Sequence, residues 1–583
     1  MTMEGEKPSR SWPQGILFGL LLLGLYWLYG WRPFLVNPGS LVDDGLYIRN
    51  AEAFLDWLQG RTPFWLGPYD CFSLAKAPLY GLWLAFLHLV GMPLRVGEFL
   101  LLLAGPFLFK SAVRPVTKLA GWKFAVVTVL LVANAGLPEE FRLVRDGLQV
   151  ALSNLCLVAA LGLALRTEEL LGERMRWAST TGVFLGLCYL NREEATWVSV
   201  AVFVAIALML VRALLRWRQR RQALLSTVRA QGIVLLVLGV GFLLPVLTVC
   251  ALNKKHYGAF LTTFRRSSAF TGLFQRLTSL EPKGRQAYVP IARATRLKAY
   301  ELSPTFARLK PFLEEPGGYW TAGNSEHAVF NGRSPADQEF FVSYFEFCLL
   351  NATQRAGAKT AGQMEAMFRA IDLELGAAVR AGRIQAGSHG PAILAAPLPG
   401  DFKKILRAGV LSFLTLIRVN RDLSTWPETV QTSQARLDDV ARLTHSSVAL
   451  YPKLKGQFSA RRSVFGWIVG IQRLLFPTLF VVPFALLAWK RKEVFTSAPS
   501  TRGFFLWSMA IPLSGLAAFC ASMGVVEVLG FRFLHLAAYN ILGFAPLSVL
   551  CACAFTGLIV SVSGTSVLLL LQGSALQPQE PQG

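Results

Sequence analysis

Charged residues are scarce in this chain. Of its 583 residues only 16% are charged, and 53% are hydrophobic. Many uncharged runs are long enough to cross the hydrocarbon core of a bilayer, which takes about 20 residues in a helix. The composition therefore excludes an ordinary soluble domain and predicts an α-helical polytopic membrane protein.

Recognisable cysteine motifs, repeats and cleavage signals are also lacking. The eight cysteines show no metal-ligand spacing, and most lie in apolar runs, so Cys71 and Cys348 remain as one candidate disulfide. No internal repeat or low-complexity tract is found, and the final segment, 574–583, is expected to be a disordered tail. No small-residue cleavage signal follows the first apolar run, WPQGILFGLLLLGLYWLYGW, which is therefore expected to be retained as a span.

The apolar runs predict about eleven transmembrane helices. They are expected near residues 12–31, 96–113, 123–138, 147–165, 177–191, 195–211, 230–252, 466–489 and 503–526, with two more between Phe533 and about Gln572. One further segment, KAPLYGLWLAFLHLVGMPL, could either cross the membrane or lie in its plane.

The basic residues decide how residues 77–94 are interpreted. If this segment does not cross, four basic clusters fall on the cytoplasmic side, as the positive-inside rule requires. These clusters are Lys110–Lys123, Arg166–Arg176, Arg212–Arg229 and Lys490–Arg502. The non-crossing interpretation places the N-terminus in the cytoplasm and a large loop outside.

The same topology divides the chain into four parts. An N-terminal transmembrane region, 1–252, contains a first outer loop at 32–95; an extracytoplasmic domain follows at 253–465, and a second transmembrane region at 466–573 precedes the tail. The extracytoplasmic domain is long enough to bury its own core and is expected to be mainly helical. Its helical spacing predicts one buried stripe of Met364, Met367, Phe368, Ile371 and Leu375.

Four polar segments fall on the outer face and can converge there. They are VDDG (42–45), LPEEFRLVRDG (137–147), LNREEATW (190–197) and EVLGFRF (527–533). Charged residues at a membrane boundary indicate a functional site by default, because they are costly to keep there.

The acidic pair Asp43 and Asp44 precedes an amphipathic helix. Apolar residues recur behind it at helical spacing, which predicts an interfacial helix with the pair near its N-terminus. One carboxylate could serve only as an N-cap, but capping does not explain the second acid. A carboxylate in this position can act as a general base toward a hydroxyl group.

The other charged residues each have a plain alternative. The loop with Glu140, Arg142, Arg145 and Asp146 could hold mutually neutralising ion pairs. Arg192 and Glu193 could lie in a tight outer turn with a snorkelling arginine. Lys76 and Arg532 could be interface anchors. Their shared side and their mixture of acids and bases favour a substrate site instead.

An outer-face transferase needs a donor that the membrane delivers, because activated nucleotide donors are cytoplasmic. A polyprenyl-phosphate sugar meets this need. Arginine or lysine would hold its phosphate and stabilise the charge on the leaving group. A carboxylate would take the proton from the acceptor hydroxyl.

The order of these motifs resembles a known superfamily. One span, then DDGLYIRNAEAFL, LAKAPLYGLWLAFL and RLVRDG, is similar to the GT-C polytopic glycosyltransferases, in particular protein O-mannosyltransferases and lipid A aminoarabinose transferases. The late GFRFLHLAAYNILGFAPL is similar to the arginine and aromatic element that follows the large loop in many members. The resemblance covers the membrane part, and the outer domain matches none that we can name.

The resemblance implies roles by position. Asp43 takes the place of the first-loop catalytic acid and Asp44 that of a second acid. Lys76, Arg145 and Arg532 match positions expected near the lipid phosphate, and Asp146 matches the acid of the second outer loop. From its place on the outer face, Arg192 is expected to bind the donor phosphate as well. The substrate would be contacted by Tyr47, Glu140, Arg142, Asp146 and Glu193.

Two features leave details open. KAPLY has one proline where relatives commonly have two, so the subfamily, sugar and acceptor are not defined. Some superfamily members hold a divalent cation between acids of the first two outer loops, as Asp44 and Asp146 could do. No metal or other cofactor is expected to be required, because the most similar relatives use single-sugar-phosphate donors without one.

The expected function is therefore transfer of a sugar from polyprenyl phosphate to a glycan, lipid or protein. The expected location is a bacterial inner membrane, with the site facing the periplasm and with membrane lipids, not nucleic acid, as partners. A ligase or polymerase using a polyprenyl-diphosphate carrier is the alternative enzyme, with key Arg and His residues in the large loop. A transporter would show inverted repeats and mid-membrane charges, and neither is clear here.

The topology can be tested with single cysteine labels. Labels within 212–229 should react from the cytoplasm, whereas labels within 280–460 should react from outside, since only this arrangement keeps the basic clusters inside. The measurement is labelling of intact and opened cells by a membrane-impermeant maleimide. Labelling of residue 220 from outside would contradict the arrangement.

Overall fold

The structure is a computed structural model. It describes residues 12–30, 34–36, 43–135, 143, 145–193, 196–220, 224–280, 288–315, 339–340, 342–390, 394, 397–417, 434–449, 481, 485, 499–530, 543, 545–557 and 559–560. These residues are mostly helical.

The N-terminal half contains nine described helices. They are α1 (Trp12–Gly30), α2 (Asp44–Leu58), α3 (Leu79–Leu89), α4 (Leu94–Ala112), α5 (Gly121–Ala135), α6 (Asp146–Leu165), α7 (Leu171–Asn191), α8 (Thr196–Arg220) and α9 (Leu224–Tyr257). A 3-10 turn, Phe264–Arg266, follows α9.

The remaining described helices begin after this turn. They are α10 (Ser268–Ser279), α11 (Arg293–Leu302), α12 (Pro304–Ala307), α13 (Lys310–Leu313), α14 (Val342–Arg355), α15 (Ala361–Arg380), α16 (Asp401–Ile417), α17 (Gln434–Thr444), α18 (Pro499–Val525) and α19 (Ala545–Gly557). A five-residue π-helical segment, Val526–Gly530, continues α18. Two short strands, β1 (Phe34–Leu35) and β2 (Val448–Ala449), pair in parallel.

Several described helices are long and apolar enough to cross a membrane. Four qualify, within α6, α8, α9 and α18, and a fifth span results if α3 and α4 are counted together. The predicted spans at 466–489 and 533–572 lie largely outside the described residues. The count of eleven therefore stays a prediction.

α3 and α4 meet at a bend of 110°. Gly91 adopts a positive φ of 65° between them, a conformation that glycine tolerates without steric cost, and Pro93 caps α4. This angle is compatible with an in-plane α3 followed by a crossing α4, as the sequence predicts.

α6 is the centre of the helical bundle. Its apolar side chains cover its whole circumference, and from Leu148 to Leu165 every residue is buried, as expected for a helix packed on all sides. α4, α5, α7, α8 and α18 all pack against it. The first turn of α6 therefore lies at one end of the bundle's core.

A second hydrophobic core joins the first loop to the region after α9. It combines Trp65 and Leu74 from the loop with Phe264, Phe270 and Phe345 from the later region. The predicted stripe on α15 is confirmed for four residues, because Met364, Phe368, Ile371 and Leu375 are fully buried, and Met367 is partly buried. Cys71 and Cys348 are buried here as free thiols, so the candidate disulfide is not formed.

Candidate functional site

Asp43 precedes α2 and pairs with a lysine. It occupies the N-cap position, yet its side chain makes no capping hydrogen bond. Its Oδ1 lies 3.4 Å from Nζ of Lys76. Capping by this carboxylate, the plain alternative from the sequence, is therefore not observed.

Asp44 and Tyr47 lie on the buried side of the same helix end. Asp44 is the first residue of α2 and is fully buried. Tyr47 packs edge to face on Tyr80, with ring centroids 5.2 Å apart. Burial raises the pKa of Tyr47, and the charges of Arg145 and Asp43 act on its phenol in opposite directions. Tyr47 therefore stays a neutral hydrogen-bonding group near these charges.

Lys76 is held by a loop that is anchored to the end of α9 and to the region after it. The Trp65 Nε1 donates to Asn253 Oδ1 of α9 at 3.1 Å, and the Phe264 amide donates to the Leu74 carbonyl at 3.0 Å. Burial lowers the pKa of Lys76, and the nearby Asp43 carboxylate opposes this shift. The lysine is thus a poorly solvated cation that an anion would stabilise.

Arg145 and Glu193 form a buried ion pair between α6 and the turn after α7. The Arg145 Nη1 lies 2.7 Å from Glu193 Oε2, and both side chains are about 5% exposed. Arg145 also donates to the Asn191 carbonyl at 3.0 Å, and Asn191 donates back to the Arg145 carbonyl at 3.0 Å. The other oxygen of Glu193 accepts the Ala77 amide at 2.8 Å. This pair therefore fixes the backbone next to Lys76.

A second ion pair joins the same two segments. Arg192 donates to Asp146, the first residue of α6. Two of the four polar segments predicted to converge, 137–147 and 190–197, are thus in direct contact, and VDDG is connected to them through Lys76 and its neighbour Ala77. The roles assigned to these residues stay predictions.

The remaining predicted residues lie outside the described residues. They are Glu140, Arg142 and Arg532. Asp44 and Asp146 were considered as a cation site from the sequence. Within the described ranges, no group of three or more His, Cys, Asp and Glu side chains could hold a metal ion.

Sequence reasoning missed two site residues from the region after α9. Arg265 donates to Glu346 of α14 at 2.6 Å, and Lys76 lies 5.8 Å from the ring of the adjacent Phe347. Glu346 is 1% exposed, and its Oε2 has no hydrogen-bond partner among the described residues. Burial raises the pKa of Glu346, and the positive charges of Arg265 and Lys76 oppose this shift. A lone acid in the apolar run YFEFCLL was the available signal.

Arg266 and the pair of Arg95 with Glu98 were missed as well. Arg266 donates to the carbonyls of Arg192 and Glu193 at 3.2 and 2.9 Å, so the 3-10 turn braces the turn after α7. Arg95 and Glu98 are buried at the start of α4, with Nη1 and Oε2 4.0 Å apart. A Cβ at Gly147 would come within 3.3 Å of Glu98 Oε1, so this pair lies beside the start of α6.

The geometry suits recognition of an anion next to a carboxylate. Lys76 and Arg145 are buried cations paired with Asp43 and Glu193, and a contact between a cation and an anion is stronger where water is excluded. Asp43 is the more exposed partner of its pair, at 37% against 11% for Lys76. Asp43 is therefore the member of this pair that is more accessible from outside.

Comparisons with known proteins give a distant likeness. No protein-family model and no curated protein matches the chain. Among solved structures it is similar to ArnT from Cupriavidus metallidurans in the apo state, with 13% identity, a TM-score of 0.28, and coverage of 93% of this chain and 78% of that one. ArnT bound to undecaprenyl phosphate gives 13% identity and a TM-score of 0.26, with the same coverage.

TM-scores of 0.28 and 0.26 are too low to establish fold or activity. The assignment therefore depends on the site residues themselves.

The buried Arg145–Glu193 pair should dominate the stability of the site. Glu193→Leu leaves an uncompensated buried cation and should lower the free energy of unfolding by about 3–5 kcal/mol. Adding Arg145→Met should recover part of this loss, because no buried charge then remains. Unfolding in detergent micelles measures both.

An exposed ion pair gives the control. Arg61 and Asp56 are 69% and 46% exposed, so Arg61→Ala should cost at most about 1 kcal/mol. If the double variant lost as much free energy of unfolding as the two single variants together, the unpaired buried charge would not be the cause of the loss in Glu193→Leu.

Proposed function

We propose that this protein is a membrane glycosyltransferase that moves a sugar from a polyprenyl-phosphate donor to an acceptor hydroxyl. The observation that carries the proposal is the Asp43–Lys76 pair, at 3.4 Å. It lies near Arg145 and Arg192 at the end of the bundle. It brings together a proton acceptor and a buried cation, the two groups that such a transfer requires.

Lys76 is the proposed contact to the donor phosphate, with Arg145 and Arg192 behind it. As the bond between the anomeric carbon and the phosphate oxygen breaks, its electron pair stays on the phosphate. Cations already in place stabilise this developing charge without reorganisation. Because Lys76 is buried, its charged form needs an anionic partner. A phosphate with more negative charge than a carboxylate is therefore favoured to replace Asp43 as that partner.

Asp43 is the proposed base. When the phosphate takes over Lys76, this lysine no longer neutralises the Asp43 carboxylate, which can accept the proton of the acceptor hydroxyl. The acceptor oxygen then bonds to the anomeric carbon, and polyprenyl phosphate leaves. Donor binding would thus precede activation of the base.

Glu346 is the proposed polar contact to the sugar. Its Oε2 is buried without a hydrogen-bond partner among the described residues, and an unmade hydrogen bond is costly in such a place. Its neighbour Phe347 lies beside Lys76. A sugar attached to the phosphate at Lys76 would therefore lie within reach of this carboxyl group.

The topology proposed for this function has eleven spans and the site on the extracytoplasmic face of a bacterial inner membrane. The acceptor would be a glycan, lipid or protein, and a divalent cation is not required. The argument is the positive-inside bias of the loops opposite the site, together with the supply of lipid-linked donors across the membrane.

Arg265 favours one alternative, a ligase or polymerase that uses a polyprenyl-diphosphate carrier. That class would place arginines of the large loop at the carrier, and Arg265 does lie at the site, paired with Glu346. The two candidates differ in the ligand. Polyprenyl phosphate should compete with the donor of the proposed enzyme, and polyprenyl diphosphate with that of the alternative.

Replacement of Asp43 tests the base. Asp43→Asn preserves shape but removes the basic carboxylate, so turnover should fall about 100-fold or more while folding and donor binding stay near normal. The measurement is the initial rate at which envelope glycans gain the sugar's mass after the gene is restored to a deletion strain.

Two variants, Asp43→Ala and Asp44→Asn, are the controls. A cap would tolerate Asn and lose stability with Asp43→Ala, because Asn caps a helix nearly as well as Asp. A defect confined to Asp44→Asn would move the role to the neighbouring acid. Full activity in both Asn variants would refute a catalytic role for the pair.

The lowered pKa of Lys76 predicts pH-dependent lipid binding. Because burial lowers this pKa, the lysine loses its proton at a lower pH than a free lysine, and affinity for undecaprenyl phosphate should fall as pH rises through that value. Lys76→Met should weaken binding about 10- to 100-fold at neutral pH, the range expected for a hydrogen bond to a charged group.

Lys76→Arg separates charge from structure. Arginine stays charged at alkaline pH, so this variant should bind at a pH at which the wild-type protein has lost affinity. Native mass spectrometry in nanodiscs between neutral and alkaline pH measures the difference. Equal pH profiles for the two proteins would exclude Lys76 as the phosphate contact.

A further inference from the structure

α16 packs in direct backbone contact with α18, one of the candidate spans. A Cβ atom at Gly409 would lie 3.0 Å from the Cys520 carbonyl oxygen. A Cβ atom at Gly524 would lie 2.4 Å from the Ile405 carbonyl oxygen. Such close approach at small residues is typical of helices that associate in membranes. Ile405 lies beside Gly524 and Gly409 beside Cys520, so the helices run antiparallel. Both α18 contacts fall inside its membrane-length window, Ser508–Leu529.

The exposed surface of α16 changes along its length. Its first two turns expose Lys403, Lys404 and Arg407. From Ala408 to Ile417 the sequence AGVLSFLTLI has no charged residue, and its exposed side chains are Val410, Leu411 and Leu414. Charge at one end and apolar exposure at the other is the pattern of a helix that leaves a polar interface for hydrocarbon.

The polar groups in the apolar half are compatible with such an environment. The Thr415 hydroxyl donates to the Leu411 carbonyl at 2.8 Å, inside the helix itself. Ser412 lies on the buried side. No exposed side chain in this half therefore needs water.

α15 shows how a water-facing helix of the same region differs. Its buried stripe faces the second core, and its exposed positions include Gln363, Arg369 and Arg380 from one end to the other. Leu373 is one exposed apolar residue among them, at 66%. The apolar surface of α16 is instead continuous, with Phe402, Leu406, Val410 and Leu414 spaced four residues apart.

We propose that α16 lies beside α18 with its charge-free half in the bilayer, so that Val410 and Leu414 contact lipid acyl chains and Phe402 and Leu406 lie at the headgroup boundary. It enters from the side of its basic first turns, which stay among the headgroups. At about 1.5 Å per residue its charge-free half, Ala408 to Ile417, reaches about 15 Å, about half the thickness of the hydrocarbon core. Residues 401–417 would then belong to the membrane part, an exception to the extracytoplasmic assignment of 253–465, whatever reaction the protein catalyses.

Nitroxide labels on the exposed face test the proposal. Single cysteines replace Phe402, Leu406, Val410 and Leu414 in the full chain in liposomes, and power saturation compares collisions with oxygen and with a water-soluble nickel chelate. Oxygen accessibility should rise and nickel accessibility fall from 402 to 414. The calculated depth should grow by about 6 Å per four residues if the helix follows the membrane normal.

A label at Leu373 of α15 is the matched water-facing control. The unsubstituted protein, whose eight cysteines are buried, is the labelling blank. Nickel accessibility at 410 and 414 equal to that at 373 would place α16 in water. Low accessibility to both reagents would place protein against this face, and either result would overturn the proposal.

Discussion

The buried charge at the first turn of α6 is the constraint on which the site depends. α6 is packed on all sides, so Arg145, at its start, has little access to water and needs an anion. Glu193 supplies it at 2.7 Å and also accepts the Ala77 amide. One ion pair thereby links the bundle core, the turn after α7 and the backbone beside Lys76. The position of Asp43 follows, because it pairs with that lysine.

Two hydrophobic cores meet around these charges. The bundle core holds Arg145, and the second core holds the loop that presents Lys76 and the helix that carries Glu346. Neither core completes the cluster alone. The region after α9 is therefore part of the site's wall, since Arg265 and Arg266 reach Glu346 and the carbonyls of Arg192 and Glu193. A movement of this region would change the surroundings of Lys76 directly.

The sequence was informative where charge stood out from an apolar background. Asp43, Arg145 and Glu193 interrupt or border apolar runs, so their position at one end of the bundle could be predicted from topology. For Glu346 the sequence offered only the apolar run around it, and its place beside Lys76 and Arg265 could not be predicted because the tertiary fold creates it. The same limit applies to α16, which falls in the segment 253–465 that the sequence assigns to the extracytoplasmic domain, because its backbone contact with α18 arises only in the tertiary structure. The pairing of Asp43 with Lys76 depends on long-range packing that no local pattern encodes.

The placement of acids in the cluster follows helix electrostatics. Asp44 and Asp146 are the first residues of α2 and α6, where the partial positive charge of a helix N-terminus stabilises a carboxylate. Asp146 also neutralises Arg192. These two acids thus satisfy fixed parts of the scaffold. Asp43 makes no capping hydrogen bond, is 37% exposed and pairs with Lys76 at 3.4 Å. The two members of the acidic pair therefore differ in environment: Asp44 is buried at the start of α2, whereas Asp43 is partly open to solvent beside a lysine.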